Sequence, residues 1–316
     1  MSFSGKVKDE LLTRTSAARH CQLAELAGVV FCCGGVGWEE NKCNKLEIYT
    51  ENEAIARKYF TLLQKTFNII KVEFLDKEEN TARKAGTYAI ALYGEDGADR
   101  VGRALKLVRG ERGFSINPII VQNTCCKRAF IRGAFLAAGS MSDPRKAYHL
   151  EIVFSEAAKA EWIKTMINSF LIDAKVVQRK KYFVVYVKEG SQIVDLLNIM
   201  EAHRALMEFE NIRILKEVRN SVNRKVNCEA ANIGKTAQAA AKQMDDILYI
   251  KDLYGFDDLD DGLKEIAELR IKYPEATLKE LGEMLPVPLG KSGVNHRLKR
   301  LGKIAENFRK EKEEEE

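Results

Sequence analysis

Three groups of residues in this sequence have types and spacing that suit chemistry. The first is KSGVNHRLKRLGK at 291–303, which supplies Lys291, Asn295, His296, Arg297, Lys299, Arg300 and Lys303 without one acid. Cations and amides on a face free of carboxylates neutralise phosphates and reach base edges, so the chemistry is duplex recognition. The second is a set of acids, Glu25, Glu39 and Asp143, near two glycine-ended apolar segments, LAGVVFCCG at 26–34 and IRGAFLAAG at 131–139. Hard oxygen ligands of this kind hold Mg²⁺ for phosphodiester hydrolysis. The third is seven cysteines (Cys21, Cys32, Cys33, Cys43, Cys125, Cys126, Cys228) and four histidines (His20, His149, His203, His296). No C-x-x-C occurs and the histidines stand singly, so the sequence gives no metal site and no cofactor, only reduced and mostly buried thiols. GKS at 290–292 is not a phosphate-binding loop, because the first glycine of that motif would fall on Leu285.

The elements that must position these residues follow from periodicity. Leu23, Leu26, Ala27 and Val30 fall at i, i+3, i+4 and i+7, one face of a helix over 20–31 that ends at Gly34 and Gly35. A strand at 45–50, a helix at 53–67 and strands at 69–75 and 87–94 follow, giving the order α-β-α-β-β. From Lys127 the order recurs: helix 128–139, strand 148–155, helix 156–171, strands 174–180 and 182–188. The two glycine-ended segments sit about 105 residues apart in register with this repeat. Small residues let two helix backbones approach closely, so the pair is expected to pack together as a dyad between two halves.

The remainder reads as helical. Residues 191–216 continue as helix, and a polar stretch then carries Arg219, Asn223, Arg224, Lys225 and Asn227. Composition favours a solvated linker there, and a phosphate-tracking face is the alternative. A further helix is expected from Thr236 to about Ile250, then an acidic turn at 255–262 and a helix closing at Pro274. Thr277 and Glu280 form a T-x-x-E capping box, Pro286, Pro288 and Gly290 break the short helix, and Val294, Leu298, Leu301, Ala305 and Phe308 make one apolar stripe. Short helix, turn and basic amphipathic helix is a helix-turn-helix pattern. Residues near the start of the second helix reach bases and later ones meet phosphate. Ser292, Asn295 and His296 are therefore assigned to base readout. Lys291, Arg297, Lys299, Arg300 and Lys303 are assigned to phosphate, with Thr277 and Lys279 as further DNA-binding candidates.

Apolar residues at 46% and charged residues at 31%, with no apolar run near the ~20 residues of a membrane span, indicate a globular protein with no membrane role. MSFSGKVKDELL lacks an apolar signal segment, which points to the cytoplasm and, with DNA binding, to the nucleoid. The net charge of +5 includes an acidic EKEEEE end that reads as a solvated, disordered tail. The expected organisation is a first repeat at 1–110, a second at 111–200, a helical linker at 201–235, a helix-turn-helix domain at 236–310 and a tail at 311–316.

The two glycine-ended segments resemble the paired LAGLIDADG motifs of homing endonucleases, over about residues 15–190. The resemblance implies an α+β fold of two pseudo-symmetric repeats, with a metal-binding acid at the last-but-one motif position. Here those positions hold Cys33 and Ala138. Neither a thiol nor a methyl group serves Mg²⁺, so the scaffold is expected without the cleavage chemistry. The candidate DNA-facing strands KLEIYT and YHLEIVFS each carry a glutamate, which phosphates disfavour.

The whole chain resembles the WhiA family of bacterial sporulation and cell-division regulators. The strongest marks are CCKRAFIRGAFLAAGS at 125–140, RNSVNRKVNCEAAN at 219–232 and SGVNHRLKRL at 292–301. The resemblance implies a degenerate LAGLIDADG domain joined to a C-terminal all-α helix-turn-helix domain, a DNA-binding role, and involvement in cell division and chromosome segregation. With the motif acids missing, the favoured reading is not an enzyme but a sequence-specific binder of double-stranded DNA, acting as a transcription factor or as a chromosome-associated division factor. Two alternatives stay open: an endonuclease whose metal ligands are Glu25, Glu39 or Asp143, and a scaffold whose N-terminal domain binds a protein partner.

Overall fold

The computed structural model describes residues 2–69, 73–75, 87–110 and 113–315. Residues 70–72 of the strand expected at 69–75, and residue 316 of the acidic tail, lie outside them. The chain divides into two compact units, Met1–Glu217 and Val218–Glu316.

The first unit opens with α1 (Phe3–Thr13) and then contains the two repeats. The first repeat is α2 (Arg19–Cys33), β1 (Gly34–Glu39), β2 (Lys42–Thr50), α3 (Glu53–Phe67), β3 (Glu73–Leu75) and β4 (Tyr88–Tyr93). A short α4 (Arg100–Ala104) and a hairpin of β5 (Leu107–Gly110) and β6 (Gly113–Ile116) connect to the second repeat. That repeat is α5 (Thr124–Ala138), β7 (Gly139–Met141), β8 (Leu150–Phe154), α6 (Ala157–Asn168), β9 (Lys175–Arg179) and β10 (Tyr182–Val187). The sheets have the same antiparallel order, β1-β2-β4-β3 and β7-β8-β10-β9. The repetition seen in the sequence is thus a repetition of topology. α7 (Gly190–Met200) follows, and Glu201, with a φ of 67°, separates it from the next helix where the sequence reads one continuous run.

β1 is absent from the sequence reading because Gly34 and Gly35 read as a helix end. The helix does end at Cys33, but the same glycines open a strand that pairs Gly34 with Ile48 and Gly35 with Glu47. With so few side chains the segment shows no alternating apolar pattern.

α2 and α5 pack because glycine faces carbonyl on both sides. A Cβ added to Gly28 would lie 2.3 Å from the carbonyl oxygen of Phe130, and one added to Gly133 would lie 2.2 Å from that of Glu25. Below the pair, one core joins Phe31, Phe130, Phe135, Leu46, Ile48, Ile90, Ile152 and Phe154. Phe31 meets Phe130 at 5.6 Å and Trp162 at 5.0 Å between ring centroids, distances at which tilted aromatic pairs attract.

The second unit contains the later part of α8 (His203–Leu253), then α9 (Asp261–Lys272), α10 (Leu278–Glu283) and α11 (Lys291–Glu315). The helical linker expected at 201–235 and the separate helix expected from Thr236 to about Ile250 are one continuous helix of 51 residues. Residues 217–239 are exposed on every side, so no buried stripe shows that the two run together. α11 likewise runs through the expected tail to Glu315, as lysine and glutamate are good helix formers. The core of this unit joins Ile247, Ile250, Leu263, Ile266, Leu281, Leu285, Val294, Leu298, Leu301 and Ala305. The apolar stripe read from the sequence is the buried face of α11.

Candidate nucleic-acid interface

α10 starts at the expected capping box. The Glu280 amide donates to Thr277 Oγ1 at 3.3 Å, and the Thr277 amide donates to a Glu280 carboxylate oxygen at 2.7 Å. These bonds hold the Glu280 carboxyl below the usual carboxylate range. Arg270, 2% exposed, fixes the loop before α10 by donating to the carbonyls of Pro274 at 3.3 Å and Ala276 at 2.7 Å, and to Gln243 at 2.9 Å. The turn after α10 lies directly on its backbone: the Leu289 amide donates to the Gly282 carbonyl at 3.0 Å. A Cβ on Gly282 would sit 2.0 Å from Leu289 O, so only glycine permits this turn.

α11 then buries Val294, Leu298, Leu301 and Ala305, which orients its other face outward. Lys291, Ser292, His296, Lys299, Arg300 and Lys303 are exposed, and Asn295 is half-buried. Arg300 pairs with Asp260 at 3.1 Å, with 56% and 69% of the two side chains exposed, so the pair is weak and easily exchanged for another anion. Thr277 is exposed, with its hydroxyl engaged in the cap, and Lys279 lies 3.7 Å from Glu283.

Arg297 departs from its assignment to phosphate. It is half-buried, and its Nη1 donates to the Gly262 carbonyl at 3.1 Å. A Cβ on Gly262 would lie 2.9 Å from Arg297 Cζ, so the missing side chain on α9 opens the slot that holds the guanidinium. Arg297 ties α11 to α9. Arg219, Asn223, Arg224, Lys225 and Asn227 are all exposed on α8, which serves the linker and the phosphate-tracking readings equally.

In the first unit, the C-terminal ends of α2 and α5 carry the degenerate motif positions. Cys33 Sγ donates to the Val29 carbonyl at 3.2 Å, and burial pushes its thiol up to about 12. Ala138 contributes a half-buried methyl group. Burial lowers the Lys8 amine, whose charge acts on Cys33 and which lines a cavity of about 370 Å³ with Tyr49, Thr50, Glu51, Asn52 and Ala137. At the two motif positions themselves, a thiol and a methyl group offer no hard oxygen ligand to a divalent cation.

The acids that kept an endonuclease open have other work. Glu25 is 1% exposed and pairs with Arg132 at 2.9 Å and Lys58 at 2.7 Å. Asp143 Oδ1 accepts from the Arg145 amide at 2.8 Å in a turn, and Glu39, exposed at the end of β1, accepts from Asn44 Nδ2 at 3.4 Å. The two strand glutamates occupy equivalent places on β2 and β8 and are also paired. Glu47 binds Lys45 at 3.0 Å and accepts from the Tyr49 hydroxyl; Glu151 binds His149 at 2.9 Å and Arg179 at 3.0 Å.

One cluster falls outside every expectation from the sequence. His20 and Cys21 on α2 meet Cys125 and Cys126 on α5, with all four ligand atoms within 4.8 Å of one another. The histidines are therefore not all isolated. Ligand spacing was invisible because the set is split between the two repeats, about 105 residues apart. The internal repeat was the signal that could have found it.

Comparison with known proteins bears on both units. Family models described as the WhiA N-terminal LAGLIDADG-like domain, the WhiA LAGLIDADG-like domain and the WhiA C-terminal HTH domain match residues 19–108, 127–219 and 222–305. The chain belongs to the WhiA family. A relative from Lachnoclostridium phytofermentans named "Probable cell division protein WhiA" is 58% identical, over 98% of this chain and 100% of the relative. One of the same name from Alkaliphilus oremlandii is 47% identical, over 96% of this chain and 97% of the relative. The crystal structure of full-length DUF199/WhiA from Thermotoga maritima aligns with a TM-score of 0.60 at 27% identity, covering 97% of this chain and 99% of that one. The WhiA architecture of two LAGLIDADG-like α/β repeats followed by an HTH region is the architecture described above. Among the described residues, no helix is long and apolar enough to cross a membrane.

Proposed function

We propose that this WhiA-family protein is a sequence-specific binder of double-stranded DNA that regulates cell division without cutting DNA. The observation that carries the reading is α11. Its buried stripe is fixed by Val294, Leu298 and Leu301, and its exposed face presents Lys291, Ser292, His296, Lys299, Arg300 and Lys303 with Asn295 at the edge. Ser292, Asn295 and His296 near its start read base edges in the major groove, and Lys291, Lys299, Arg300 and Lys303 neutralise phosphates. Arg219, Arg224 and Lys225 on α8 are a second, weaker phosphate surface.

The names of the relatives support a division role. In this reading the protein exerts it on the nucleoid, through transcription or chromosome segregation. The thiol and methyl group at the motif ends, with Glu25 locked in a buried ion pair, support the absence of nuclease chemistry. The test is a titration of the full chain on duplexes selected from genomic fragments and on random duplexes, with Mg²⁺ and Mn²⁺ present. Tighter binding to selected duplexes, lost in a variant lacking residues 275–309, and intact DNA throughout are the expected results. Metal-dependent cleavage at a defined site, or binding unaffected by that deletion, refutes the reading.

A further inference from the structure

The two motif helices meet at their N-terminal ends through His20, Cys21, Cys125 and Cys126. His20 and Cys21 are the second and third residues of α2, and Cys125 and Cys126 are the second and third residues of α5. The pseudo-symmetry that sets Gly28 against Phe130 therefore also sets these two pairs face to face. His20 Nδ1 lies 3.3 Å from Cys21 Sγ, 3.2 Å from Cys126 Sγ and 4.0 Å from Cys125 Sγ. A tetrahedral zinc ion with bonds of about 2.0–2.3 Å has its ligand atoms about 3.5–3.8 Å apart. The observed separations bracket that value. Cys21 and Cys126 are buried beside Ala24 and Ala129, while His20 and Cys125 are exposed, so an ion has both a rigid base and a route in.

We infer that His20, Cys21, Cys125 and Cys126 form a structural zinc site that staples the two repeats together at the N-terminal ends of their motif helices. Three thiolates and one imidazole leave no coordination position open, which is the pattern of a structural site. Soft sulfur donors select Zn²⁺ over Mg²⁺ or Ca²⁺. The complex carries a net charge of −1, which the partial positive charge of two helix N-termini favours. Because the ligands come from positions 106 residues apart, the ion closes a long loop of chain and stabilises the pairing of the halves.

The test uses the full chain, reduced, stripped with chelator and titrated with Co²⁺ alone. The expected result is one Co²⁺ per chain, with the intense visible bands of a tetrahedral centre and a thiolate-to-cobalt charge-transfer band, both abolished by equimolar Zn²⁺. Cys125→Ser replaces an exposed residue and should leave the Trp38 and Trp162 fluorescence of the first unit unchanged. It should lower cobalt affinity by more than about tenfold. Cys228→Ser, exposed on α8, should not change it. A spectrum without the thiolate band, equal cobalt binding in the two variants, or a disulfide within the cluster whose reduction restores no metal uptake would each overturn the inference.

Discussion

Arg132 and Glu25 meet across the two motif helices at 2.9 Å, each 1% exposed, in the place where the glycines bring the backbones closest. Arg132 also donates to Ser16 at 2.8 Å and Glu201 at 2.9 Å, and Lys58 supplies Glu25 with a second cation at 2.7 Å. Removing one partner so that a buried charge is wholly stranded costs about 3–5 kcal/mol. Arg132→Met leaves Glu25 with Lys58 as its remaining buried cation, so the first unit is expected to lose less than that but more than about 1 kcal/mol. Trp38 and Trp162 are the chain's two tryptophans and both lie in that unit, so denaturant unfolding followed by fluorescence reads it directly. A loss below about 1 kcal/mol would mean the pair is solvated and of the ordinary surface kind.

Gly28→Ala and Gly133→Ala each place a methyl group within about 2.3 Å of a carbonyl oxygen on the facing helix. Overpacking of this kind costs about 1–3 kcal/mol even where the core can shift, and a backbone carbonyl shifts little. Both variants are expected to lose stability by similar amounts, because the two contacts are related by the pseudo-symmetry. Gly234→Ala is the control: nothing lies within 4 Å of its added Cβ on exposed α8, and helix propensity predicts a gain of about 0.5–1 kcal/mol. The comparison is made by thermal melts of the three variants. Equal small effects in all three would remove close backbone approach as the reason for the motif glycines.

What the sequence disclosed and what it hid have physical causes. Gly28 and Gly133 were legible as a dyad because a repeated small residue in a repeated element order has few other uses. Thr277, Glu280 and the Val294–Leu298–Leu301 stripe were legible because caps and buried stripes are local. The helical character of 203–235 was legible, but its unbroken run into the helix expected from Thr236 was not, since a helix exposed on all sides from 217 to 239 has no apolar period to follow. Arg297 was not, since its direction is set by the absent side chain of Gly262, far away in the chain. The His20 cluster was not, since its four ligands belong to two helices that only the fold brings together.

Gly282→Ala separates the two units experimentally. Its added Cβ would strike Leu289 O at 2.0 Å and crowd Val294 at 3.1 Å, forcing the turn off α10 and shifting the start of α11. Binding to a preferred duplex is expected to fall by at least about tenfold, since displacement of a positioning element by ~1 Å misplaces the groups it carries. The tryptophan-reported unfolding of the first unit is expected to stay as in the parent chain. Unimpaired binding would show that α11 is not the recognition element.

The exposed face of α11 divides into three roles that one salt series can distinguish. Arg300→Ala removes one phosphate contact, so affinity should fall on all sequences alike and the salt slope should drop by about one unit. Asp260→Asn releases the same guanidinium from its 3.1 Å partner and should raise affinity, most at low salt, where an exposed carboxylate competes best with phosphate. Asn295→Ala should cost about 1–3 kcal/mol on the preferred duplex and little on random DNA, because an amide reads a base edge. Arg297→Ala should do neither. Its guanidinium is committed to Gly262 O, so its loss should loosen α11 from α9 and lower the melting temperature of the second unit with the salt slope unchanged. Titration of the four variants on both duplexes at several salt concentrations gives the slopes and preferences together. A reduced slope in Arg297→Ala, with stability intact, would return Arg297 to the phosphate face that the sequence assigned it.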